Sequence, residues 1–139
     1  EFHSVVEGAK QSVTCATFNF QKSSQMWDVL REASSQPGVV VTIYVDSSVG
    51  DCQAVKKQVP AATVFGSATL RDGRAIVSHA KFIVVDHEIL LLTSANFSYS
   101  AENRNVEFGL RVHDSALARS VESTMHSKRD TLYEECLSD

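Results

Sequence analysis

Residues 78–98 read SHAKFIVVDHEILLLTSANFS. Two apolar runs, 82–85 and 89–92, the first rich in β-branched residues, flank the polar triplet Asp86-His87-Glu88. That pattern predicts two antiparallel strands, 76–85 and 88–93, joined by a turn at Asp86-His87. Side chains two residues apart on a strand share a face, so His79 and Lys81 project together. Ser94 and Asn96 repeat the spacing at the end of the return strand. Closing the hairpin brings residues near 94 back beside residues near 79. The expected result is one cluster holding an imidazole, an ammonium, a hydroxyl and a carboxamide. A nucleophile with donors aimed at growing negative charge is what cleavage of a phosphodiester requires.

Working outward, the segment 66–74 carries two glycines and two arginines and reads as a loop at the mouth of this cluster. Arg71, Arg74 and Arg104 are candidates for lining a substrate groove, and Arg111 lies nearby. Upstream, apolar spacing predicts a helix over 2–11 and alternation predicts a strand over 12–20. Ser24 is placed to cap a helix reaching 35, with Met26, Trp27, Leu30 and Ala33 facing inward. A strand over 39–46, a short helix over 51–58 and a strand over 62–65 follow. Downstream come a helical turn over 97–102, a strand over 106–113, and an amphipathic helix over 114–137 with Leu117, Val121, Met125, Leu132 and Leu137 as core candidates. Alternating helices and strands predict an α/β fold, a mixed β-sheet flanked by helices on both faces.

The bulk properties limit the alternatives. With 139 residues and 43% hydrophobic content, the chain is long and apolar enough for one domain with a real core, spanning 1–139. It begins at Glu1 rather than Met, which marks it as a candidate fragment of a longer protein. No apolar stretch is long enough to span a bilayer. Three scattered cysteines, Cys15, Cys52 and Cys136, fit reduced thiols and a cytoplasmic location better than a disulfide framework. The net charge of -4 argues against a protein that coats nucleic acid, though not against a local basic groove. The spacing of His and Cys matches no zinc site, and there is no acidic calcium loop or phosphate-cradling glycine loop, so neither metal nor cofactor is expected.

Singly, each residue of the cluster has an ordinary explanation. A lone His is usually hydrogen-bonded surface, a lone Lys guards a sheet edge, Asp86 suits a turn, and Ser-x-Asn suits a helix cap. Jointly, five residue types at fixed offsets arise by chance in roughly one such chain in ten thousand or fewer.

The five positions resemble the signature of the phospholipase D superfamily, His-x-Lys-x4-Asp-x6-Gly-Ser-x-Asn. His79, Lys81, Asp86, Ser94 and Asn96 stand in register, and Thr93 replaces the usual Gly. Asn105 and Glu107 match a downstream Asn-x-Glu of that family. The upstream layout, ending a Val-rich strand at Asp46, is similar to one whole phospholipase D-like repeat. The resemblance implies that His79 attacks phosphorus to form a phosphohistidine, while a second His protonates the leaving oxygen. It implies that Lys81 and Asn96 hold the non-bridging oxygens and that Ser94 adds a hydrogen bond. It leaves Glu107 or Asp86 to orient an imidazole. Because the chain carries one such motif, the resemblance implies a homodimer with two copies of His79 facing each other. Single-motif relatives suggest a nuclease acting on DNA or RNA. The alternatives are a phospholipase D or phosphatidyl transferase, and an inactive module for dimerisation or nucleic-acid binding, which Thr93 leaves open.

Overall fold

The structure, a computed structural model, describes residues 2–17, 24–46, 52–68, 81–93 and 109–137. In chain order the elements are α1 (Phe2–Glu7), β1 (Ser12–Thr17), α2 (Gln25–Ser34), β2 (Val40–Val45), α3 (Cys52–Gln58), β3 (Thr63–Ser67), β4 (Phe82–Val85), β5 (Ile89–Thr93), β6 (Gly109–His113), α4 (Ser115–His126) and β7 (Tyr133–Cys136). The strands form one mixed sheet in the order β6-β5-β4-β1-β2-β3-β7. β1, β2 and β3 are parallel, and every other pairing is antiparallel.

Two clusters of buried side chains sit on opposite faces of this sheet. One joins Val13, Cys15, Val41, Ile43, Val64, Ile83 and Leu91 to Val6, Trp27, Leu30 and Val55 from α1, α2 and α3. The other joins Ala16, Tyr44, Phe65, Phe82, Val84 and Leu90 to Ala118 and Met125 of α4. Alternation along each strand therefore feeds both faces, as expected for an α/β sheet covered by helices on both sides. Ser24 caps α2 by accepting a hydrogen bond from the Met26 amide at 3.2 Å, and Met26, Trp27, Leu30 and Ala33 are buried.

The hairpin between β4 and β5 closes as expected. The Val85 carbonyl accepts from the Glu88 amide at 3.1 Å, and Asp86 and His87 have φ of 55° and 59°. Two successive left-handed residues match the right-handed twist of the flanking strands, the pattern of a type I′ turn.

Three expectations are corrected. The helix over 2–11 stops at Glu7, because Gly8 follows and the amides of residues 10–12 turn to the Asp86 carboxylate. The helix over 114–137 ends at His126, capped by Ser127; the chain then reverses through Asp130 at φ 65° and returns as β7 beside β3. Leu137, expected in the core, is 67% exposed, and Leu117 is exposed too, while Ala118 takes the buried position. Helical periodicity continued through a segment whose hydrogen bonds are won by a strand partner 66–72 residues upstream in sequence, a competition invisible locally. The cysteines are the third correction. β7 carries Cys136 to the start of α3, where it is disulfide-bonded to Cys52, leaving Cys15 free and buried. No described helix is long and apolar enough to cross a membrane.

Candidate active site at the switch point of the sheet

The chain adds β2 and β3 on one side of β1, then crosses to the other side to lay down β4. In open α/β sheets, ligands bind outside the carboxyl ends of parallel strands at such a reversal, because the connections diverge there and leave a crevice. Here the reversal falls where the carboxyl end of β1 meets the amino end of β4. Lys81 sits at that point. Ala16 pairs with Phe82, so Thr17 and Lys81 lie one residue beyond, at the edge. On the other flank the Lys81 carbonyl accepts from the Thr93 amide at 3.4 Å. Thr93, in the position of the family glycine, thus stands beside Lys81, and it pairs in turn with Gly109 of β6.

Chain connectivity keeps His79 within two residues of Lys81 and Ser94 within one of Thr93. His79, Ser94, Asn96, Glu107, Arg71, Arg74 and Arg104 lie outside the described residues, as does the expected helical turn over 97–102. Arg111 is on the edge strand β6, exposed, with its Nε donating to His113 Nε2 at 2.8 Å.

Asp86 is placed elsewhere. It stands at the far end of β4, five residues from Lys81, or about 16 Å at the usual strand rise. Its carboxylate accepts from the amides of Lys10 at 3.0 and 3.1 Å, Gln11 at 2.7 Å and Ser12 at 3.1 Å. These bonds tie the entry of β1 to the β4–β5 turn. The expectation that Asp86 shares the Lys81 site, or orients an imidazole there, is corrected: the carboxylate positions strands.

A different carboxylate lies at the same edge of the sheet. Asp46 follows the last residue of β2 and is 1% exposed. The Ser67 hydroxyl, at the end of β3, donates to Asp46 Oδ1 at 3.4 Å. Two strand spacings separate β2 from β4, so Asp46 lies about 10 Å across the sheet edge from Lys81. A buried carboxylate is costly unless hydrogen-bonded, and this bond ties the end of β2 to the end of β3. The only sequence signal for it is a charged residue closing a β-branched run.

Below the edge, a cleft of about 330 Å³ opens between β4, β5 and α4. Lys81 forms its rim, and Phe82, Leu92, Val121 and Met125 its largely apolar walls. Cys15, buried under the opposite face, has its thiol pushed up to about 12 by burial, which makes it a packing residue rather than a nucleophile.

These features have parallels in known proteins. A family profile described as "Cardiolipin synthase, PLD-like domain" matches residues 3–129. The chain belongs to this phospholipase D-like family. No curated protein matches it in sequence. Among solved structures, the phospholipase D-like chain is similar to Nuc from Salmonella typhimurium, a phospholipase D family member, with TM-score 0.79, 20% identity, and coverage of 98% of this chain and 88% of that one. It is similar to NucT from Helicobacter pylori with TM-score 0.75, 21% identity, and coverage of 90% and 82%. It also matches phosphatidylserine synthase from Haemophilus influenzae with TM-score 0.69 and 15% identity, covering 97% of this chain but 36% of that one. At these identities the likeness establishes a shared fold. Family membership supports a phosphodiesterase-type enzyme.

Proposed function

We propose that the protein is a metal-independent nuclease that cleaves DNA or RNA through a phosphohistidine, with its active site completed by a second copy. The observation that carries this is Lys81 at the switch point with Thr93 beside it, the described residues nearest in sequence to His79 and Ser94. Neutral His79 attacks phosphorus, forming a P–N bond as the P–O bond to the leaving alcohol breaks. The imidazolium of the second copy's His79 gives its proton to that departing oxygen. It then takes a proton from water, which attacks phosphorus and breaks the P–N bond. Lys81 and Asn96 hold the non-bridging oxygens, whose charge is greatest in the transition state. Ser94 adds a hydrogen bond to phosphate, and Glu107 orients an imidazole through its other nitrogen. Arg71, Arg74 and Arg104 line the approach for the polyanion. The likeness in fold to Nuc and NucT, two chains of similar length, supports the nuclease assignment. The Cys52–Cys136 disulfide favours an oxidising compartment over the cytoplasm.

Cleavage of single- and double-stranded DNA and of RNA, with chelator present, tests the proposal. Cleavage should persist with chelator and disappear in His79→Ala, and radiolabelled substrate should leave acid-labile phosphate on the wild-type chain only. Chelator-sensitive cleavage, or full activity in His79→Ala, would refute it.

The apolar cleft under Lys81 favours a second substrate class, a phosphatidyl ester whose acyl chain lies against Phe82, Leu92, Val121 and Met125. Release of choline from phosphatidylcholine, with no cleavage of nucleic acid, would select it.

A further inference from the structure

The face that carries α4 holds chemistry that the Lys81 site does not use. α4 packs through Ala118 and Met125 and leaves a cleft of about 570 Å³ between itself and β1–β2. Thr42, Tyr44, Arg119, Ser123, His126 and Arg129 are among its lining residues.

Arg129 is set in advance. Its guanidinium carbon lies 4.4 Å from the centroid of the Phe65 ring, and its Nε donates to the Tyr44 hydroxyl at 3.0 Å. A guanidinium held by stacking and one hydrogen bond keeps its two terminal nitrogens for a bidentate acceptor, with little entropy left to lose. Those nitrogens have no partner among the described residues.

Arg119, Ser123 and His126 form a second, independent feature. Spaced by four and three residues on α4, they present one stripe, and all three line the cleft. The Arg119 and His126 side chains have no hydrogen bond or ion pair among the described residues. Along the helix they are about 10 Å apart, more than one phosphate group spans.

Glu122, the one acidic lining residue among the described residues, is already engaged. Both Glu122 carboxylate oxygens lie 2.9 Å from His87 Nδ1, and the Thr14 hydroxyl donates to Oε2 at 3.4 Å. His87 Nε2 in turn shares a hydrogen bond with Ser12 Oγ at 3.3 Å. The cleft therefore offers two guanidinium groups, neither bonded to a carboxylate among the described residues, against one carboxylate, on a chain whose net charge is -4.

We propose that this cleft is an anion site that holds phosphate groups of a nucleic-acid strand away from the bond being cut. The identity of the strand rests on the nuclease assignment; the affinity for phosphate does not. Tyr44 at the cleft's upper end immediately precedes Val45 and Asp46, so a strand leaving the crevice at the sheet edge can descend onto this face.

The test measures binding apart from cleavage. Fluorescence anisotropy of a labelled single-stranded oligonucleotide is followed across a salt series, using full chains carrying His79→Ala. Adding Arg119→Glu and Arg129→Gln should weaken binding at least tenfold. It should also lower the slope of log affinity against log salt by roughly 1.4, two phosphates at about 0.7 each for a single strand. Arg119→Glu alone, at an exposed helix position, should lower the slope by about half as much, and it serves if Arg129→Gln unfolds the Phe65–Tyr44 stack. An unchanged slope and affinity in Arg119→Glu, or no oligonucleotide binding by the parent chain, overturns the proposal. Adenosine monophosphate is the second probe. Arg119-dependent binding of the mononucleotide alone would reassign the cleft to a small phosphate ligand and overturn the strand. Arg119-dependent oligonucleotide binding in a chain whose wild type cuts no nucleic acid sinks the nuclease assignment and leaves the cleft standing. Cleavage with an unchanged salt slope does the reverse.

Discussion

Replacing Asp86 separates a structural carboxylate from a catalytic one. Its side chain accepts from three backbone amides, those of Lys10, Gln11 and Ser12. Hydrogen bonds to a charged group contribute about 1.5–3 kcal/mol each. The Lys10 and Gln11 bonds are exposed, so water recovers most of the loss, whereas the Ser12 bond is partly buried. Alanine at this position also has to hold φ near 55°, which a non-glycine residue other than Asn or Asp resists. Together these give a loss of about 2–4 kcal/mol for Asp86→Ala. Asn keeps one acceptor oxygen and tolerates the left-handed conformation, so Asp86→Asn should cost about 1–2 kcal/mol. Urea unfolding followed by the fluorescence of Trp27, the chain's one tryptophan and fully buried, reads both values. With a slope of about 2 kcal/mol per molar, the midpoint should fall by roughly 1–2 M for Ala and 0.5–1 M for Asn. Phosphodiester turnover per folded molecule should stay within about threefold of wild type in Asp86→Asn, a barrier change under roughly 0.7 kcal/mol. Abolished turnover with an unmoved midpoint would return Asp86 to the reacting centre and refute the placement.

Other consequences can be measured with the same protein. Lys81→Ala should lower kcat by about a hundredfold or more, with KM moving little, since its charge acts mainly on the transition state; equal loss through KM alone would mean ground-state binding only. Reducing the Cys52–Cys136 disulfide, which links residues 84 apart, should cost on the order of 4 kcal/mol by chain entropy, read as an earlier urea midpoint in dithiothreitol. Cys15 should resist iodoacetamide in the native state and react on unfolding; since the folded thiol titrates near 12, stability should decline above about pH 9, where only the unfolded thiol ionises, and remain unaffected below. A Cβ on Gly109 would lie 2.7 Å from the Phe2 ring, so Gly109→Ala should destabilise by about 1–3 kcal/mol and Phe2→Leu should relieve it in the double mutant.

What the sequence settled by itself is what short-range chemistry encodes. The 78–98 segment carries its own periodicity and turn residues, so the β4–β5 hairpin and the pairing of residues near 81 with those near 93 were legible, as were the Ser24 cap and the inward face of α2. Fixed spacing of rare residue types likewise made the family legible. Long-range pairing decided the rest. β7 exists because β3 supplies an edge for residues 133–136, and only that docking brings Cys136 to Cys52. Asp86 left its expected company because a side chain joins whichever donors the fold brings near; here these are amides 74–76 residues earlier in the chain. The cleft between α4 and the sheet arises from strand order and helix docking together. Neither is local, since sequence pattern fixes which face of an element is buried but not which element covers it.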